Sequence, residues 1–166
     1  MNKIAILYGT SGGSVESVAK QVQDLFEGTA DIYNVLDVSL SEIQDYKYII
    51  VGTSTTGIGD LQDDWEGFLP SFAKIDFTGK KVAIFALGDS ASYSTSFAES
   101  MKVVYDEIYD KVEVVGRVPD VGYTYDDSTA VEDGVWFGLP LDEDNEYDMT
   151  EERLEKWVEQ LKKEFV

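Results

Sequence analysis

Apolar residues fall along the chain in two alternating patterns. Four short runs are apolar almost without interruption: KIAILY at 3–8, YIIVG at 48–52, KVAIFAL at 81–87 and VWFGL at 135–139. Runs of this length predict strands buried on both faces, as in a parallel sheet. DIYNVLDV at 31–38 and KVEVVGRV at 111–118 are weaker strand candidates. Between the runs, apolar residues recur every three or four positions. Val15, Val18, Ala19, Val22, Leu25 and Phe26 make one stripe, and Leu61, Trp65, Phe68, Leu69 and Phe72 a second. Phe97, Met101, Val104, Tyr105 and Ile108 make a third, and Leu154, Trp157, Val158, Leu161 and Phe165 a fourth. Such stripes predict amphipathic helices. Thr150 ahead of Glu151 and Glu152 predicts a cap and an acidic first turn for the last of them. Strand followed by helix, repeated, predicts an α/β fold: an open doubly wound five-stranded parallel sheet with helices on both faces. Residues 118–134, VPDVGYTYDDSTAVEDG, carry neither period and predict a long loop inserted beside or within the last strand. No repeat or shift in composition divides the chain, so residues 1–166 are expected to form a single domain.

Composition narrows the chemistry. With 43% apolar and 13% aromatic residues, a chain of 166 residues can fill one core. Thirteen basic against 33 acidic side chains give a formal charge of −20. That charge repels nucleic acid and anionic membranes and attracts basic protein surfaces; it also serves solubility alone. There is no cysteine and no histidine, which excludes disulfides, thiol catalysis and the usual zinc ligand and general base. Redox or transfer chemistry must come from a bound group, and no metal site is expected. MNKIAILYG is too short an apolar run for a signal peptide and no run reaches membrane-spanning length, so a cytoplasmic location is expected.

In a doubly wound sheet, ligands bind beyond the carboxyl ends of the strands, where strand order reverses. The segments leaving the three best strands are GTSGGS at 9–14, GTSTTGIGD at 52–60 and LGDSASYS at 87–94, all rich in Gly, Ser and Thr. The first lacks the Gly-Lys-Ser/Thr ending of a triphosphate loop. Gly9, Gly12 and Gly13 lack dinucleotide-fingerprint spacing, although Asp37 stands where its acid would. What remains is one terminal phosphate, held by backbone N–H groups and the hydroxyls of Thr10, Ser11 and Ser14 and by the helix dipole in place of a cation. An ordinary strand-to-helix turn with a serine cap suits the same residues.

At these loops the chain resembles a flavodoxin, and the resemblance extends over essentially all of it. The family's phosphate loop reads Thr/Ser-x-Thr-Gly-x-Thr, and Thr10-Ser11-Gly12-Gly13-Ser14-Val15 stands in its place, with two of three hydroxyl positions vacated. GIGDLQDDWEGF at 57–68 and LGDSASY at 87–93 resemble the two flavin-ring loops, and GLPLDEDN at 138–145 with TEERLEKWVEQL at 150–161 resembles the C-terminal region. The insertion at 118–134 points to the long-chain type.

The resemblance implies noncovalently bound FMN and low-potential one-electron transfer. It places Thr10, Ser11, Gly12, Gly13, Ser14 and Val15 at the phosphate, and Ser54, Thr55, Thr56, Gly57, Ile58, Gly59, Leu87, Gly88, Asp89 and Tyr93 around the rest of the cofactor. Tyr93 would stack on the outer ring face; it also suits a plain half-exposed loop position. Thr56 stands where many long-chain members have a tryptophan, and Trp65 does not replace it, because its helical spacing with Leu61, Phe68 and Leu69 assigns it to the core. Weaker FMN binding than is usual in the family follows. At Gly57 the family turns a peptide carbonyl toward the flavin, which a glycine permits at little steric cost; Gly57 and Gly59 also suit a simple tight turn. Asp60, Asp63, Asp64, Glu66, Asp89, Asp126, Asp127, Asp142, Glu143 and Asp144 are expected to rim this side, opposing negative charge on a reduced ring and steering positive partners. The implied partners of a monomeric carrier are basic-faced redox proteins, such as a flavodoxin/ferredoxin reductase and an electron-accepting enzyme. A small FMN-dependent quinone-type oxidoreductase and a flavodoxin-derived interaction module with weak or no FMN binding are the alternatives. A phosphoaspartate receiver shares the fold type, but no lysine after a late strand supports it.

Overall fold

The computed structural model describes residues 2–166. In chain order, β1 (Ile4–Tyr8) leads to α1 (Ser14–Leu25), β2 (Ala30–Asn34) to α2 (Leu40–Gln44), and β3 (Tyr48–Thr56) through β4 (Asp60–Leu61) to α3 (Asp63–Phe72). Then come β5 (Lys81–Leu87), α4 (Ser100–Ile108), β6 (Glu113–Val115), β7 (Val131–Glu132), β8 (Val135–Trp136) and β9 (Leu139–Leu141). A 3₁₀ turn at Tyr147–Met149 introduces α5 (Thr150–Glu164).

The central sheet runs β2-β1-β3-β5, and beyond β5 its next position is shared by two short strands. β6 pairs with Lys81–Ala83 and β9 with Phe85–Leu87, both parallel. The order reverses at β1, which lies between β2 and β3. Side chains alternate across each strand, which is why the predicted runs are apolar throughout. Ala5, Leu7, Ile49, Val51, Val82 and Ile84 face Trp65, Leu69 and Phe72 of α3 and Met101, Val104 and Ile108 of α4. Ile4, Ile6, Ile50, Ala83 and Phe85 face Val15, Val18 and Val22 of α1 and Leu154, Trp157 and Leu161 of α5. The doubly wound architecture follows from these two buried faces.

Three local expectations need correction. VWFGL at 135–139 is not one sheet strand. Val135–Trp136 turns back on Val131–Glu132 as an antiparallel ribbon, and the parallel strand begins only at Leu139. Trp136 is instead buried in an aromatic cluster with Phe97, Tyr123 and Tyr125. Gly138 brings the chain so close to the Ile84 carbonyl that a Cβ would overlap it. The segment 118–134 is therefore a loop that ends in a small ribbon. At the last helix, Met149 occupies the cap position without a side-chain bond, while the Thr150 hydroxyl donates to the Glu143 carboxylate. The acidic first turn, Glu151 and Glu152, is as expected. Helix α2 was not foreseen: five residues are too few to show a stripe, and a Ser39/Glu42 capping box marks its start.

Lys3, Lys47 and Lys111 shortly precede β1, β3 and β6, and Lys81 opens β5, so these cations gather at the amino ends of the strands.

Candidate functional site

Beyond the carboxyl ends of β1, β3 and β5 lies a cleft of about 310 Å³. Thr10, Ser11, Gly12, Ser14 and Val15 line it from the first loop and the start of α1, and Ser54, Thr55, Thr56 and Gly57 from the end of β3. Leu87, Gly88, Asp89 and Tyr93 close it from the third loop, with Glu143 and Asp144 beside them. No cation is among the lining residues. A larger groove of about 580 Å³ adjoins at Thr56 and carries Asp60, Asp63, Glu66 and Glu107.

The first loop is built to present backbone. Gly13 takes up φ 94 as the residue before α1, a conformation costly for a side chain, and α1 has no side-chain cap. The Thr10 hydroxyl accepts from the Gly13 amide at 2.9 Å, and the first helical bond runs from Ser17 N to the Gly13 carbonyl. Amides ahead of that bond have no helical partner and face the loop with the positive end of the helix dipole. Gln62 steadies the loop from behind: its amide donates to Ser11 Oγ at 3.2 Å while its carbonyl oxygen accepts from Trp65 N.

The second loop is a tight turn between β3 and β4, which pair Thr55 with Leu61 and Thr56 with Asp60. Gly57 and Gly59 both have positive φ, 51 and 81. Thr55 Oγ1 lies 2.8 Å from Ser100 Oγ, tying the end of β3 to α4.

The third loop is fixed by a knot of polar groups. Asp142 is fully buried and accepts from the Ser90 hydroxyl and from both the backbone and side-chain nitrogens of Asn145. Asn145 also donates to Asp89 Oδ1 at 2.9 Å. That bond, with the Ser92 amide, holds Asp89 below the ordinary carboxylate range. Asp144 is shifted the other way, raised by partial burial and then by the charges of Asp89 and Asp142. Tyr93 is 41% exposed at the cleft.

Thirteen of the sixteen residues singled out in the sequence line this one cleft. The others do not: Gly13 shapes the loop behind it, Ile58 projects into solvent with 79% of its surface exposed, and Gly59 packs on Glu99. Trp65 is fully buried, as its spacing implied, and donates its indole N–H to the Gly52 carbonyl. Sequence reasoning placed Glu143 and Asp144 only on the acidic rim and overlooked Gln62 and Asn145. Gln62 had a signal, since it directly precedes the acidic first turn of α3; Asn145 had none. Among the described residues, no group of three or more His, Cys, Asp or Glu side chains is arranged to hold a metal ion, and no helix is long and apolar enough to cross a membrane.

The family model for flavodoxins matches residues 6–157. The chain belongs to the flavodoxin family. A flavodoxin of Nostoc sp. is 39% identical over 165 residues, spanning 98% of this chain and 97% of its own. A flavodoxin of Helicobacter pylori is also 39% identical, over 99% of each chain. The crystal structure of Fusobacterium nucleatum flavodoxin bound to flavin mononucleotide aligns with a TM-score of 0.92 and 30% identity over 99% of each chain. The three loops that resemble flavodoxin loops in sequence are thus the three that line one cleft in the flavodoxin fold.

Proposed function

We propose that residues 1–166 form one FMN-binding domain that carries single electrons between redox proteins and converts no substrate of its own. The observation that carries this reading is the opening of the uncapped start of α1 into the same cleft as Tyr93 and the Gly57 turn. The amides at the start of α1 and the hydroxyls of Thr10, Ser11 and Ser14 suit a phosphate dianion without a cation. Tyr93 offers a half-exposed aromatic face for a flavin ring, and Thr56 and Gly57 line the same cleft. FMN supplies the uptake and release of electrons when bound.

The protein's part is to set how readily that happens. Asp89, Glu143 and Asp144 line the cleft and oppose negative charge there, which disfavours full reduction and lowers the potential. Gly57 lets its peptide turn toward the ring without a side-chain penalty. The acidic groove beside Thr56 extends the negative surface to meet a basic-faced donor or acceptor.

Titration of the FMN-free protein with FMN, followed by quenching of flavin fluorescence, tests the proposal. One equivalent should bind, and Tyr93→Ala should weaken binding by about fivefold to 150-fold, as expected for the loss of about 1–3 kcal/mol of stacking. Absence of binding at micromolar FMN would support the interaction-module alternative. NADPH-driven quinone reduction without a reductase would support the oxidoreductase.

A further inference from the structure

The Gly57–Gly59 turn is braced by a residue that does not line the cleft and that no loop motif singles out. Glu99, the residue before α4, lies against Gly59: a Cβ built there would come 2.5 Å from Glu99 Oε1 and 3.3 Å from its Cβ. The same carboxylate accepts from the Thr129 amide through Oε2 at 2.7 Å. One side chain therefore touches the turn with one oxygen and the inserted segment with the other.

The corner that carries Glu99 is itself tightly held. Ala98 adopts φ 55, a left-handed conformation that a residue with a side chain rarely takes unless its surroundings impose it. Those surroundings are visible. Ser128 Oγ donates to the Phe97 carbonyl at 2.6 Å, the Ser100 amide donates to Thr55 Oγ1 at 3.3 Å, and Gly88 leaves no room for a Cβ against Ala98 N. The inserted segment, the end of β3 and the third loop all meet at residues 97–100.

We propose that Glu99 is a positioning residue, coupling the inserted segment at Thr129 to the Gly57–Gly59 turn and so fixing the turn that borders the cleft. Glu99 is not among the residues lining the cleft, and it acts through Gly59. The functional consequence rests on the FMN reading above; the mechanical coupling does not. If the inserted segment loses its hold on Glu99, the turn gains freedom, and the backbone at Gly57 is no longer held in one starting position.

The test compares wild type, Glu99→Ala and Glu99→Gln. The first readout is amide hydrogen exchange in the FMN-free protein. Exchange at residues 57–60 and at Thr129 should rise by up to about tenfold in Glu99→Ala, the scale of one lost hydrogen bond, while exchange at residues 4–8 of β1 stays unchanged. Glu99→Gln keeps an oxygen for the Thr129 amide and the same bulk against Gly59, so it should restore the wild-type pattern. The second readout is the separation between the two one-electron midpoint potentials with FMN bound, which should change in Glu99→Ala and return in Glu99→Gln. Unchanged exchange at 57–60 in Glu99→Ala would overturn the coupling. A Glu99→Gln variant that behaves like Glu99→Ala would also overturn it, because charge and not contact would then be the cause. Failure of the wild type to bind FMN would remove the second readout alone and leave the first decisive.

Discussion

Tyr93 and Trp65 pose the same question at the scale of single residues, since both are aromatic side chains close to glycine-rich loops. Spacing separates them: Trp65 shares a helical stripe with Leu61, Phe68 and Leu69 and is fully buried, whereas Tyr93 belongs to no stripe and stands half-exposed at the cleft. The acids of LDEDN at 141–145 could not be separated in that way. Asp142 is buried in a knot with Ser90 and Asn145, while Glu143 and Asp144 border the cleft. The partner that decides this, Ser90, lies far away in sequence and announces nothing. Asp144 yields a prediction with a definite sign. Its folded-state affinity for a proton is raised above the unshifted 3.8, so the ionised group destabilises the fold at neutral pH, and the penalty fades as pH falls through the raised value. Without FMN, Asp144→Asn should therefore stabilise the protein in urea unfolding at neutral pH, and the gain should shrink toward zero below 3.8. A gain of equal size at both ends would mean that charge at this position is not the cause.

At the scale of elements, strands with two buried faces were legible because both sides must be apolar, and β1, β3 and β5 lie where the runs place them. The 135–139 run misled because apolar content does not say what an element packs against. Trp136 packs on Tyr123 and Tyr125 of the 118–134 loop and Phe137 stacks on Tyr105 of α4, and the sheet is rejoined only after Gly138. Two glycines make that distinction measurable. A Cβ on Gly138 would overlap the Ile84 backbone, so Gly138→Ala should lower stability by about 1–3 kcal/mol, the range for an overpacked interior. Gly67 lies within α3 with nothing near its absent side chain, so Gly67→Ala should raise stability by about 0.5–1 kcal/mol. Urea unfolding of the two variants should show opposite signs. A neutral Gly138→Ala would mean that β9 does not dock on β5 this closely.

Across the whole molecule, the sequence shows the charge of −20 but not its direction. Direction comes from topology, because parallel strands put all their starts at one end. Lys3, Lys47, Lys81 and Lys111 stand at that end among Asp31, Asp45, Asp110 and Glu113, close to balance, whereas Asp60, Asp89, Glu143 and Asp144 lie beyond the other end, around the cleft and the groove beside it, neither of which is lined by a cation. On the proposed function, this arrangement is expected to steer a partner with a positive face to the cleft end. Stopped-flow association with a basic-faced reductase should slow by about tenfold or more between low salt and about 1 M salt, where the screening length falls to about 3 Å. A rate independent of salt would mean that the field does not guide docking.

One crystal structure, grown with excess FMN, bears on all three scales. It should show the phosphate at the start of α1 within hydrogen-bonding reach of Thr10, Ser11 or Ser14, and the flavin ring against Tyr93. A cleft closed by protein side chains, or a flavin bound elsewhere on the surface, would contradict the assignment of these loops as the cofactor site.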